Sequence, residues 1–189
     1  MIHQATINSS KRAYVEALIR LLQTETLEEI TIKQLALESG YSRRTYYRYF
    51  KTKTAILDEG LHQALVRYQH ELTTCQLTPS NLPTIFIDTL WPHRNVSQLL
   101  ARRELLLPLI ARNQAQITTA ILEIKAPWRS ELSSKNPSYR YAITYSIGGF
   151  GMLLNTLFTE KTVSAPNLIC DELTLAFNEF VTQWQLETP

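Results

Sequence analysis

The stretch GYSRRTYYRYFKTK, residues 40–53, sets Arg43, Arg44, Arg48, Lys51 and Lys53 among four tyrosines, with no acidic residue between them. Guanidinium groups donate paired N–H bonds to phosphates or guanine edges, and hydroxyls bond phosphate oxygens, so this composition suits a nucleic acid. On a helical wheel over Arg43–Phe50, Tyr46 and Phe50 share one side at i and i+4. Arg44 and Arg48 fall on the other side, flanked by Arg43, Thr45 and Tyr47. Ser42 stands where an N-cap would, and a capped helix start adds a dipole-assisted site for an anion.

Catalytic chemistry has no comparable support. His3, His62, His70 and His93 are scattered, and His62 and His70 lie two turns apart on one predicted helix, too far to share a metal. Cys75 and Cys170 form no CxxC pattern. A nucleophile, base and orienting group do not converge anywhere in the pattern. The expectation is a protein that is not an enzyme and uses no metal or cofactor.

The elements that must carry the basic stretch follow from periodicity. Ala13, Tyr14, Ala17, Leu18, Leu21 and Leu22 form a helical stripe within Asn8–Gln23. After a break at Thr24–Glu29, Thr31 is placed to cap a two-turn helix with Ile32, Leu35 and Ala36 on one face. Gly40 follows as a C-cap, and Arg43–Tyr49 makes a second short helix. A longer helix is predicted over Thr54–Thr74, with Leu57, Leu61, Leu65, Tyr68 and Leu72 along one side. Two short helices about a glycine turn are the helix-turn-helix arrangement, whose second helix enters the DNA major groove. Ala36 is small where the pair must approach, and Tyr46 is placed to pack back on the first helix.

TIKQLALESGYSRRTYYRYFKTKTAIL resembles the DNA-binding signature of the tetracycline-repressor (TetR) family over nearly thirty residues without a gap. The resemblance implies phosphate contacts from Thr31, Ser42, Tyr47, Tyr49 and Lys53, with Lys33 and Arg48 near the backbone or groove edge. Arg43 and Arg44 occupy the variable positions that face bases, and Tyr46 should be core. Tyr49 stands where histidine is commoner, and Thr24–Glu29 replaces the usual glycine-containing bend.

Beyond QLTPSNLPT, a Pro-containing connection, further helices are predicted near 82–91, 95–107, 108–125, 138–159 and 166–185. The expected fold is all-α, with about nine helices. A three-helix DNA-binding module over 1–53 is joined by a long helix to an effector-binding and dimerisation bundle over 54–189. In the family, the last two helices dimerise and the bundle often encloses a small ligand. Here Ile143, Ile147, Phe150, Gly151, Leu154 and Phe158 make one stripe, and Ile169, Leu173, Phe177, Phe180 and Trp184 another. Gly148, Gly149, Met152, Phe177, Phe180 and Trp184 are the candidate dimer residues, the glycines admitting a close neighbour. Trp91, His93, Arg102, Arg103, Trp128, Tyr141 and Tyr145, with Arg94, are the side chains available to line a ligand pocket.

Charge agrees with this division. The net charge is only +2, but residues 1–60 hold nine basic against seven acidic residues, while 61–189 hold ten of each. Tyr141–Thr159 is a nineteen-residue run without a charge, near bilayer length, yet three glycines and several hydroxyl residues lower its hydropathy. A buried or interfacial helix is expected there, with no membrane partner. No apolar leader opens the chain, and the cysteine usage fits a reducing cytoplasm.

These readings lead to a homodimeric transcriptional regulator, expected to repress, that binds a double-stranded, pseudo-palindromic operator under control of a small molecule or partner protein. An activator working through a protein partner, or a basic helical adaptor that does not bind DNA, are the alternatives.

Overall fold

The computed structural model describes residues 2–73, 76–78, 81–124, 137–160, 166–171 and 175, and every regular element among them is helical. Trp128, Leu173, Phe177, Phe180, Trp184 and Cys75 lie outside the described residues. The order is α1 (Ile2–Leu21), α2 (Ile32–Ser39), α3 (Arg43–Tyr49), α4 (Thr54–Thr73), α5 (Leu82–Leu90), a 3₁₀ turn (Trp91–His93), α6 (Arg94–Arg102), α7 (Leu106–Arg112), α8 (Gln114–Glu123) and α9 (Pro137–Thr159). Residues 166–171 add a further helical stretch.

Tyr14 and Leu18 of α1 and Leu22 just beyond it recur every four residues and are fully buried. They meet Leu35 of α2, Tyr46 and Phe50 around α3, and Ile56 and Leu57 of α4. The same apolar cluster runs on without interruption into Leu100 and Ala101 of α6, Leu106 and Leu109 of α7, and Leu154 and Phe158 of α9. One continuous core therefore supports the basic helix and the C-terminal helices together.

Two predicted helices are shorter than periodicity suggested. The helix expected over 95–107 stops at Arg102, because Glu104 adopts φ 58 and reverses the chain. Leu105 N–H then reaches Leu100 C=O and Glu104 N–H reaches Ala101 C=O, the two bonds of a Schellman turn, with glutamate at a position glycine usually fills. The helix expected over 108–125 is broken at Asn113, whose side-chain amide donates to Leu109 C=O and to Asp58 of α4. The same Asp58 oxygen accepts two bonds from Arg112. A carboxylate from another helix thus draws the chain out of register at this point.

The apolar stripe of α9 assigned to self-association is instead intrachain core. Ile143, Ile147, Gly151, Leu154 and Phe158 are buried, and α9 packs on α6, α7 and α8. A Cβ at Gly151 would sit 3.3 Å from Ile110 and 3.8 Å from Leu107, so a side chain there would press on α7 and make Ile110 shift. Gly148 and Gly149 face away, with nothing within 4 Å of an added Cβ. Among the described residues no helix is long and apolar enough to cross a membrane.

Candidate nucleic-acid interface

The basic helix is built from both ends. At α2, Thr31 Oγ accepts from Gln34 N–H, while Gln34 Oε1 accepts from the Thr31 N–H and hydroxyl at 2.8 and 2.7 Å. This is a complete capping box. The other end of the Gln34 amide donates to both oxygens of Glu25, at 3.0 and 2.8 Å, which ties the box to the loop before it. Gly40 closes α2 in the left-handed conformation at φ 73, where a side chain would be strained. Ser42 then caps α3 by accepting from Thr45 N–H.

Packing fixes which way α3 turns. Tyr46 and Phe50 are buried, and both rings lie edge-on or tilted to Tyr14, at 5.8 and 5.7 Å between centroids. Burial pushes the Tyr14 and Tyr46 hydroxyls above the usual phenol range. The Tyr14 hydroxyl donates to Ser42 C=O at 2.9 Å, pinning the turn from which α3 starts. Sequence alone placed Tyr14 on an apolar stripe; its hydroxyl has no periodicity by which its role could be read.

With one face held, the other is presented to solvent. Ser42, Arg43, Arg44, Tyr47 and Arg48 are exposed, as are Thr31 and Lys33 at the start of α2. Tyr47 keeps 66% of its surface accessible while its ring rests edge-on against Tyr46, an arrangement that aims the hydroxyl outward from a rigid base. Thr45 is half-buried, with its hydroxyl 3.1 Å from that of Ser42. Tyr49 is also half-buried and packs against the core, with the Arg48 guanidinium 5.8 Å above its ring. Both keep part of their surface accessible at the edge of the exposed face.

Basic side chains gather on this face. Lys11 pairs with Glu59, Arg12 with Glu16, Arg20 with Glu38 and Arg112 with Asp58. As with Arg67, Arg94, Arg102 and Arg103 elsewhere, Lys33, Arg43, Arg44, Arg48 and Lys51 have no carboxylate partner among the described residues. Their charge is uncompensated, and it lies on and beside one short helix. Lys53 is different: its ammonium donates to three main-chain carbonyls, those of Leu27, Glu28 and Ile30.

The ligand-lining candidates do not converge among the described residues. Arg103 donates to Leu22 C=O at 3.0 Å and Gln23 C=O at 3.1 Å, so its guanidinium caps the end of α1. Tyr141 and Tyr145 are exposed on the outer face of α9, at 76% and 68%. Trp91 is half-buried, with the Arg94 guanidinium 5.3 Å above its ring, and His93 is exposed. Arg102 borders an open cleft of about 340 Å³ between α1 and α6, with Ile19, Gln23, Asn95, Val96 and Leu99.

The family model described as "Bacterial regulatory proteins, tetR family" matches residues 15–59, from the middle of α1 into the second turn of α4. No curated protein matches the chain.

Proposed function

We propose that the chain, whose residues 15–59 match the model of the tetR family of bacterial regulatory proteins, is a DNA-binding transcriptional regulator that represses by binding a pseudo-palindromic operator as a homodimer. The observation that carries the DNA-reading role is the row of unpaired cations on and beside α3, set outward by the burial of Tyr46 and Phe50. In this reading α3 enters the major groove. Arg43 and Arg44 reach base edges, while Thr31, Lys33, Ser42, Tyr47 and Arg48 meet the phosphates on either side.

Residues 1–53 are the DNA-binding part and 54–189 the effector and dimerisation part. Support for self-association comes from the outer face of α9, where Tyr141, Tyr145 and Met152 expose apolar surface beside Gly148 and Gly149. Two copies joined through that face present two recognition helices, as a two-fold site requires. Effector control has a physical route through α7. Arg103, just before α7, holds the carbonyl end of α1, while Arg112 and Asn113 at its far end hold Asp58 of α4. Gly151 of α9 bears directly on α7, so a ligand or partner that shifts α9 displaces the helix tied to both α1 and α4.

Selection of bound fragments from genomic DNA tests the reading. A two-fold-related sequence should be recovered, and Arg43→Ala or Arg44→Ala should change the preferred bases by about 1–3 kcal/mol at a contacted position. Tyr47→Ala should weaken all duplexes alike. Unchanged duplex binding in all three variants sinks the assignment.

A further inference from the structure

We propose that Lys53 is a positioning residue that staples the α1–α2 loop beneath the DNA-facing start of α2, and is not itself a phosphate contact. The inference rests on the DNA-binding reading for what the loop positions, though not for the staple. Lys53 lies just before α4, half-buried, and its ammonium donates to the carbonyls of Leu27, Glu28 and Ile30, the last two at 2.9 and 2.8 Å. An ammonium has three N–H groups, and all three are engaged. No donor is left for a phosphate oxygen unless the loop gives one up.

The three carbonyls come from a segment whose other bonds around them are local. Between the end of α1 and Thr31 the backbone is irregular: Thr26 N–H donates to the Glu29 carboxylate, Glu29 N–H to the Thr26 hydroxyl, and Ile30 N–H to Thr26 C=O at 3.2 Å, while Lys53 reaches the carbonyls of Leu27, Glu28 and Ile30 from another element. Leu27 and Ile30 are buried, which anchors the loop's side chains, while Glu28 and Glu29 are exposed. Three carbonyls converging on one cation define where the chain must be at Ile30, one residue before the Thr31 cap. The first turn of α2, with Thr31 and Lys33, is thereby fixed relative to α3 through α4. A lysine suits this task because its compact charge offers three diverging donors, whereas an arginine offers a planar fork.

The experiment compares wild type with Lys53→Met and Lys53→Arg. Amide hydrogen exchange at Ile30 and Thr31 is measured in the free protein, and duplex affinity across a salt series. The staple predicts exchange at both amides at least about tenfold faster in both variants. It also predicts weaker duplex binding by Lys53→Met with no change in the slope of log affinity against log salt. A phosphate contact predicts the reverse: a slope shallower by about 0.9, unaltered exchange, and near-normal binding by Lys53→Arg, which keeps the charge. Unaltered exchange at the two amides in either variant, or the shallower slope in Lys53→Met, overturns the proposal.

A double variant adds the positioning test. Thr31→Ala should cost less affinity in the Lys53→Met background than in wild type, since the misplaced cap has already lost its contact; additive losses overturn the positioning role. Failure of wild type to bind any duplex would instead overturn the DNA reading, while the exchange measurement would still decide the staple.

Discussion

The two halves of the molecule are held by different means. Around α2 and α3, side chains bond to main chain at nearly every junction: Thr31 and Ser42 at the helix starts, Tyr14 at the turn, Lys53 at the loop. Helices α5, α6, α7 and α8 begin with no side-chain cap; apolar packing and a few side-chain bonds between helices, such as those of Asp58 and Gln69, set their positions. Directional bonds fix orientation, whereas apolar contact fixes only proximity and tolerates sliding. A surface that must match the repeat of a duplex needs the first kind of construction. A bundle that changes shape in response to a signal is better served by the second.

Substitutions can break or sharpen this contrast. The largest effect is expected from Tyr46→Ala, which removes a buried ring from the shared core at a cost of about 3–5 kcal/mol. Denaturant unfolding should still show a single transition; two transitions would mean that the halves do not share the core. Arg103→Met leaves the Leu22 and Gln23 carbonyls without their cation, and a loss of about 1–2 kcal/mol by the same measurement is expected. Tyr14→Phe keeps the ring packing and removes the bond to Ser42, for about 1 kcal/mol. Its effect on duplex affinity should be proportionately larger than on stability if that bond orients α3.

Smaller effects belong to the C-terminal half. Glu104→Gly should raise stability by about 1 kcal/mol, since it relieves a left-handed residue in a turn glycine forms without strain. Replacing Tyr141 and Met152 together by serine on the outer face of α9 should change protomer stability by less than about 0.5 kcal/mol. The same pair should reduce the mass seen in sedimentation if that face joins two copies. A mass unaffected by both changes would point the dimer reading elsewhere.

The short polar helices were the most legible in sequence, because caps and glycine turns announce themselves locally. Thr31, Gly40, Ser42 and the limits of Arg43–Tyr49 all follow from residue type and spacing. The breaks at Glu104 and Asn113 did not. One uses a non-glycine residue at a glycine position, and the other depends on Asp58, distant in sequence. Periodicity also gave α9 the correct inner stripe but could not say whether a neighbour in the same chain or another copy covered it. Tyr141, Tyr145, Arg102 and Arg103 were grouped by chemistry for a pocket. Nothing in a linear pattern shows that Arg103 reaches back eighty residues to α1 while the tyrosines face outward.

The capping box at Thr31, tied through Gln34 to Glu25, bears on the thermodynamics of recognition. A loop that was loose in the free protein would lose its conformational freedom on meeting DNA, and that entropy would be subtracted from the affinity. Here the ordering has already taken place during folding, so the encounter is close to the docking of two rigid bodies. Binding should therefore show a heat-capacity change set by the contact area alone, with no added contribution from coupled folding.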